Sequence, residues 1–234
     1  MLMRTRNQKL IVIGGVAVIV VLALLALVPL FISLVSHPGV KTDGIDADGA
    51  KAASTDVDGE WVVTTKPGKN MTSAGFTFYE LLPGDERTTS GSTQDVEGEM
   101  TIEGGSLTAG KVTVNMGNIV TDKDVRDENV RRKILHTEEY PESTFVLTEP
   151  ADVSQLPEDG TAGTVTLTGD LTIHGKPNSI TQEFNALRTG DNVIVHADVP
   201  INRLDYGVET PEFVAAKIAE DGEINIRLKL EKKS

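Results

Sequence analysis

Apolar and polar side chains alternate most strictly between Thr164 and Phe184. Val165, Leu167, Leu171 and Ile173 fall on one face, while Thr164, Thr166, Thr168, Asp170, Thr172 and His174 fall on the other. That is the period-2 signature of a strand with one buried side. Gly175 to Ser179 reads as a turn, after which Ile180, Gln182 and Phe184 share a parity, so the stretch predicts a β-hairpin. A hairpin cannot bury one apolar face alone, and other strands must complete a sheet around it. Alternating runs over residues 60–65, 75–80, 94–103, 106–116, 143–148, 163–174, 179–187, 192–200 and 223–231 supply them. Strands at this spacing, joined by Gly-rich turns, predict an all-β antiparallel barrel or sandwich, because a parallel sheet needs a helix between each pair.

Two segments break the rhythm. Thr121 to Leu135 places Val125, Val130, Ile134 and Leu135 at helical spacing, with Thr121 or Asp122 as the cap and acidic residues ahead of Arg131, Arg132 and Lys133. Thr210 followed by Pro211 and Glu212 predicts a second short helix through Val214, Ala215 and Ile218. Both are candidates for lids at the ends of a barrel or for loops packed on its outside.

The N-terminal quarter follows a different pattern. Residues 1–9 are short and basic, and residues 10–35 then run for 26 positions without a charge. As a helix this is about 39 Å, against a hydrocarbon core of about 30 Å. A cleaved signal peptide has a shorter apolar core and a small-residue cleavage site, so the reading is an uncleaved signal-anchor helix. The basic residues before it place the N-terminus in the cytoplasm and the remainder outside, in the periplasm or beyond the cell. Residues 36–58, rich in Gly, Asp, Ala, Ser and Thr and lacking aromatics, read as a flexible acidic linker. The acidic run Asp43, Asp46, Asp48 does not match a calcium loop. Residues 59–234 then form one domain.

Charge narrows the partners. All 35 acidic side chains lie after residue 40 and face only 19 basic ones, a balance of −16. Nucleic-acid binding through phosphates is disfavoured, as is broad contact with anionic lipid. Cysteine is absent, which removes disulfides and thiolate chemistry. His136, His174 and His196 stand in no metal-ligand spacing, and there is no Gly-x-Ser-x-Gly elbow. Nothing in the chain supports an enzyme, a cofactor or a metal.

The soluble part resembles the YceI-like family of polyisoprenoid-binding proteins, from about Gly59 to about Glu231. The resemblance is carried by Leu171-Thr172-Ile173-His174-Gly175, Arg126-Asp127 with Val130, Tyr140-Pro141 before Phe145, Arg203 with Tyr206-Gly207, Ile119-Val120-Thr121, and Gly59 with Trp61. It implies a lipocalin-like antiparallel barrel of about eight strands with one or two short helices, whose apolar lumen holds an isoprenoid chain. The chain departs from the family pattern where a His-Ser pair is usual and Asn70-Met71-Thr72-Ser73 stands instead, and in the turn residues Lys176-Pro177-Asn178-Ser179.

The inward set that such a barrel would use as a lumen is Phe76, Phe78, Val112, Val114, Met116, Phe145, Leu147, Val165, Leu167, Leu171, Ile173 and Phe184. A small barrel can fill its interior with side chains or leave room for one ligand, and these residues suit either outcome. Arg126, Arg131 and Arg132, with Lys123 and Lys133, form the one basic cluster and are candidates for a lipid head group. The plainer reading is that Arg126 and Asp127 brace their own loop. His174 joins the head-group candidates if its face meets a barrel mouth. The expectation is a membrane-tethered barrel outside the cytoplasm that sequesters or transfers a polyprenyl carrier or isoprenoid quinone. The alternative is a tethered interaction or stress-response domain with a packed core.

Overall fold

The computed structural model describes residues 40–82, 85–210 and 217–233. Eleven strands form one antiparallel sheet: β1 (Gly59–Val63), β2 (Ser73–Leu82), β3 (Asp85–Thr93), β4 (Val96–Glu103), β5 (Ser106–Asn115), β6 (Glu142–Leu147), β7 (Ala151–Asp152), β8 (Ala162–Ile173), β9 (Lys176–Thr189), β10 (Asn192–Asn202) and β11 (Lys217–Lys232). Neighbours run β1-β4-β5-β6-β8-β9-β10-β11, and β1 pairs back onto β11, which closes an eight-stranded barrel. The expected antiparallel barrel is therefore the observed architecture. Among the described residues no helix is long and apolar enough to cross a membrane. The expected spanning segment, 10–35, lies outside the described residues.

Closure divides along β11. Leu230, Glu231 and Lys232 pair with β1, whereas Lys217 to Arg227 pair with β2, with a register shift between Ile218 and Gly222. One end of the barrel is thus walled by β1 and the other by the β2–β3 hairpin. The β8–β9 hairpin appears as predicted, with Val165, Leu167, Leu171 and Ile173 buried. Its turn is tighter than expected. His174 (φ 52°) and Gly175 (φ 72°) alone make it, the two-residue geometry in which both central residues are left-handed. Lys176 to Ser179, expected as turn, already belong to β9.

β3 escaped the sequence reading because its run, Asp-Glu-Arg-Thr-Thr-Ser-Gly-Ser-Thr, carries no apolar alternation. The predicted helix is present as α1 (Asp124–Asn129) followed by a π-helical turn over Val130–Ile134. Its cap differs from the expectation. Lys123 occupies the N-cap position, and the Asp127 carboxylate reaches back to accept from the backbone N–H and the hydroxyl of Thr121, both at 2.6 Å. Of the second expected helix, residues 211–216 lie outside the described residues and Ile218 is in β11.

The segment expected to be a flexible linker is, from Val40 onward, fastened to the barrel wall. The Thr42 and Ser73 hydroxyls meet at 2.8 Å. Asp46 donates its N–H to Asn70 Oδ1 and its carbonyl accepts from Asn70 Nδ2, at 2.8 and 2.9 Å. Ala53 bridges Gly190, and Val57 enters the core. Polar composition left this run without a hydrophobic signal, but its backbone finds partners on the strands, and that is what orders it.

Candidate functional site: a half-hollow barrel

The interior is packed at one end and open at the other. At the β1 end, Trp61, Ile102, Leu107, Leu156, Val165, Leu167, Phe184, Val193, Leu228 and Leu230 are buried together. Trp61 donates its indole N–H to the Val57 carbonyl at 2.8 Å. At the β2–β3 end lies an apolar hollow. Its volume is about 120 Å³. That is close to the size of apolar cavities, about 150 Å³, that stay dry and admit a benzene-sized group.

Eight of the twelve expected lumen residues line this hollow: Phe76, Phe78, Val112, Val114, Met116, Phe145, Leu171 and Ile173. The other four, Leu147, Val165, Leu167 and Phe184, belong to the packed end. Phe145 marks the boundary, its ring 6.3 Å from that of Phe184 beneath it. Two glycines make room for these rings. A Cβ on Gly169 would stand 2.5 Å from the Phe145 ring, and one on Gly222 would stand 2.4 Å from the Phe78 ring. The helical segment contributes Val130, Ile134 and Leu135, with Ile119 before it, so the stretch read as a possible lid does cover part of the hollow.

None of the four head-group candidates lines it. Arg126 forms an ion pair with Asp122, both largely buried. Burial pulls its pKa below the ordinary guanidinium value, the neighbouring Arg87 adds to that, and Glu80 and Asp127 oppose it. Arg131 donates to the Ile119 carbonyl at 3.0 Å, which ties the π-helical turn to the hollow's wall. Arg132 pairs with Glu128 at 3.0 Å on the surface. Arg126 and Asp127 thus hold their own loop through Asp122 and Thr121, in line with the plainer reading of that pair. His174 lies against Tyr140, ring centroids 4.1 Å apart, with the His136 ring 5.7 Å away. Burial lowers its pKa below 6.5, with His136 the next cause, and the nearby Glu139 partly offsets this.

The polar groups that do line the hollow are Glu80, Thr89, Ser143, Thr144, Arg203, Tyr206 and Thr210. Glu80 faces Arg87 with its carboxylate 3.5 Å from Nε. Arg203, on the 3₁₀ turn Arg203–Tyr206, is buried and donates to the carbonyls of Ala219, Val208 and Ile218 at 3.1, 2.7 and 3.4 Å. It therefore locks the turn to β11. Parity was the signal that could have found two of these groups. Glu80 shares a face with Ala74, Phe76 and Phe78, and Ser143 shares one with Phe145 and Leu147. Thr89 sits on the strand that gave no signal at all.

Comparison with known proteins agrees with this architecture. The family model for the YceI-like domain matches residues 63–230. Protein YceI of Escherichia coli O6:H1 is 30% identical over 105 residues, covering 44% of this chain and 51% of that protein. The chain thus matches about half the length of the curated relatives it resembles. A polyisoprenoid binding domain from Saccharophagus degradans, implicated in plant cell wall breakdown, superposes with a TM-score of 0.57 at 16% identity, covering 74% of this chain and 98% of that one. Burkholderia cenocepacia BcnA gives 0.52 at 18% identity, covering 67% and 95%. At these identities the structural matches speak for the fold.

Proposed function

The chain belongs to the YceI-like domain family, and from that premise we propose that its barrel binds a long-chain isoprenoid lipid by burying the apolar tail in the hollow half. The observation that carries the reading is the apolar hollow itself, walled by Phe76, Phe78, Met116, Phe145, Leu171 and Ile173 and partly open to solvent. Each buried CH₂ contributes about 0.8 kcal/mol, so a five-carbon unit drawn from water gains roughly 3–4 kcal/mol. The protein's task in this reading is sequestration or transfer, with no bond made or broken. A membrane anchor at residues 10–35, with the barrel held outside the cytoplasm, completes the proposal. Such a tether would keep the mouth within reach of the bilayer from which the lipid is drawn.

The test is organic extraction of the purified full chain followed by mass spectrometry, against a mock purification. One prenyl lipid per chain is the expected result. A clean extract from protein that also fails to take up added prenyl lipid would sink the proposal in favour of a ligandless interaction domain. Protease added to spheroplasts tests the topology separately, since the barrel should be digested and a cytoplasmic control spared.

A further inference from the structure

Two hydroxyls on the hollow's wall, Thr89 on β3 and Ser143 on β6, are more than nine-tenths buried, and among the described residues neither oxygen has a hydrogen-bond partner. A buried hydroxyl without a partner is costly and is rarely retained unless something else supplies the bond. Both line the cavity, so a ligand atom can supply it. A hydroxyl donates one hydrogen and accepts on its lone pairs, which suits a neutral oxygen of either kind.

The charges around the hollow favour the same head. Glu80 on the wall stands against Arg87, and Arg126 pairs with Asp122, two cations set against two carboxylates. The third guanidinium, Arg203, has directed its N–H groups to the backbone carbonyls of Ala219, Val208 and Ile218. A diphosphate placed here would bring two or more negative charges beside the Glu80 carboxylate, with Arg87 and Arg126 already offset by Glu80 and Asp122. Burying charge without compensation is strongly disfavoured.

Resting on the prenyl-binding reading above, we infer that the hollow selects a prenyl ligand whose head is a neutral oxygen, a hydroxyl or a ring carbonyl, received by Thr89 and Ser143, and that it discriminates against a diphosphate head. Thr89 lies two residues along β3 from Arg87, on the same face, so the hydroxyl follows directly on the charged pair.

The test offers the full chain, in mild detergent, an equimolar mixture of four compounds sharing one tail: a prenyl hydrocarbon, a prenol, a quinone and a prenyl diphosphate. Retained ligand is quantified by mass spectrometry and divided by retention in a mock capture. The prenol or the quinone should exceed the diphosphate on the order of tenfold, and which of the two dominates identifies the source of the oxygen. Thr89→Val and Ser143→Ala should each lower retention of that ligand on the order of fivefold and leave the hydrocarbon unchanged. Glu80→Gln, which leaves one cation uncompensated, should raise the diphosphate relative to the prenol. The inference is overturned if the diphosphate is retained as well as the prenol, or if the hydroxyl variants lower the hydrocarbon equally. Retention of none of the four, the hydrocarbon included, overturns the lipid-binding reading itself.

Discussion

The two ends of the barrel share strands, and even share the alternation along those strands, yet one is filled and the other is not. β11 makes the contrast within a single element. Leu228 and Leu230 are 3% and 1% exposed against the β1 end, while Ile218, Ile224 and Ile226, on the β2 side, line the hollow. The difference lies across the barrel. At the filled end β1 supplies Trp61 and β4 supplies Ile102, large apolar groups that reach the centre. At the open end β3 faces inward with Thr89 and Gly91, too short to meet the opposite wall. Alternation decides which way a side chain points. Whether side chains meet depends on the volume contributed by every wall at the same height.

The largest test of that contrast is truncation at both ends. Trp61→Ala removes a fully packed ring with a hydrogen-bonded N–H and should cost about 3–5 kcal/mol. Phe76→Ala removes a ring that already faces empty space, so it leaves little new cavity and should cost about 1–2 kcal/mol. Urea unfolding midpoints measure both. Equal losses would mean that the hollow end is as tightly packed as the other.

Enlargement probes the same contrast from the opposite side, with a smaller expected effect. Leu167 and Leu171 lie on the same face of β8, one in each half. Leu167→Trp overpacks a filled core and should cost about 1–3 kcal/mol. Leu171→Trp enters the void, should be nearly neutral for stability, and should reduce prenyl-lipid retention on the order of tenfold. A Leu171→Trp protein that unfolds as readily as Leu167→Trp would contradict the hollow, and one that retains lipid normally would move the ligand elsewhere.

The barrel was legible because buried-face alternation is a backbone property that shows in any strand with a strong apolar set. Ile224 to Leu230 and Val165 to Ile173 announce themselves in this way. β3 did not, since its inward face carries Arg87, Thr89 and Gly91, and a face without apolar side chains leaves no trace in a hydrophobic pattern. That same strand explains why the choice between a solid and a hollow interior stayed open from sequence, because the void exists where β3 is small. Arg126, Arg131 and Arg132, the head-group candidates, do not line the cavity for a related reason. Charge density along a sequence says nothing of which carbonyl or carboxylate a guanidinium will meet, and Ile119, Asp122 and Glu128 took them. Residues 40–58 were misread because backbone hydrogen bonding, and not side-chain burial, holds most of that run in place.

The smallest expected effect is the share of the pH dependence that His174 contributes at the hollow end. His174 is packed against Tyr140 and His136, with Glu139 and Lys176 the charged groups that act on it, and its folded pKa lies below the ordinary 6.5 chiefly because burial disfavours the imidazolium. The unfolded chain therefore takes up a proton first as pH falls. Its contribution is fully present above pH 6.5 and is lost as pH drops through the folded value. His196 shifts in the same direction, mainly through burial, but lies on the outer face of β10 beside Asp198. His174→Asn keeps a residue that tolerates the positive φ of the turn and removes the titrating group. Stability should then decline less steeply below pH 6.5 than in the unsubstituted chain. Hydrogen exchange at mildly acid pH should locate the difference around Ile173 and Val208, which pack together at the hollow end, and leave the strand around Trp61 unaffected. Faster exchange at both ends on acidification, or an unchanged acid slope in His174→Asn, would show that the two halves open as one cooperative unit, with this turn not the place where protons act.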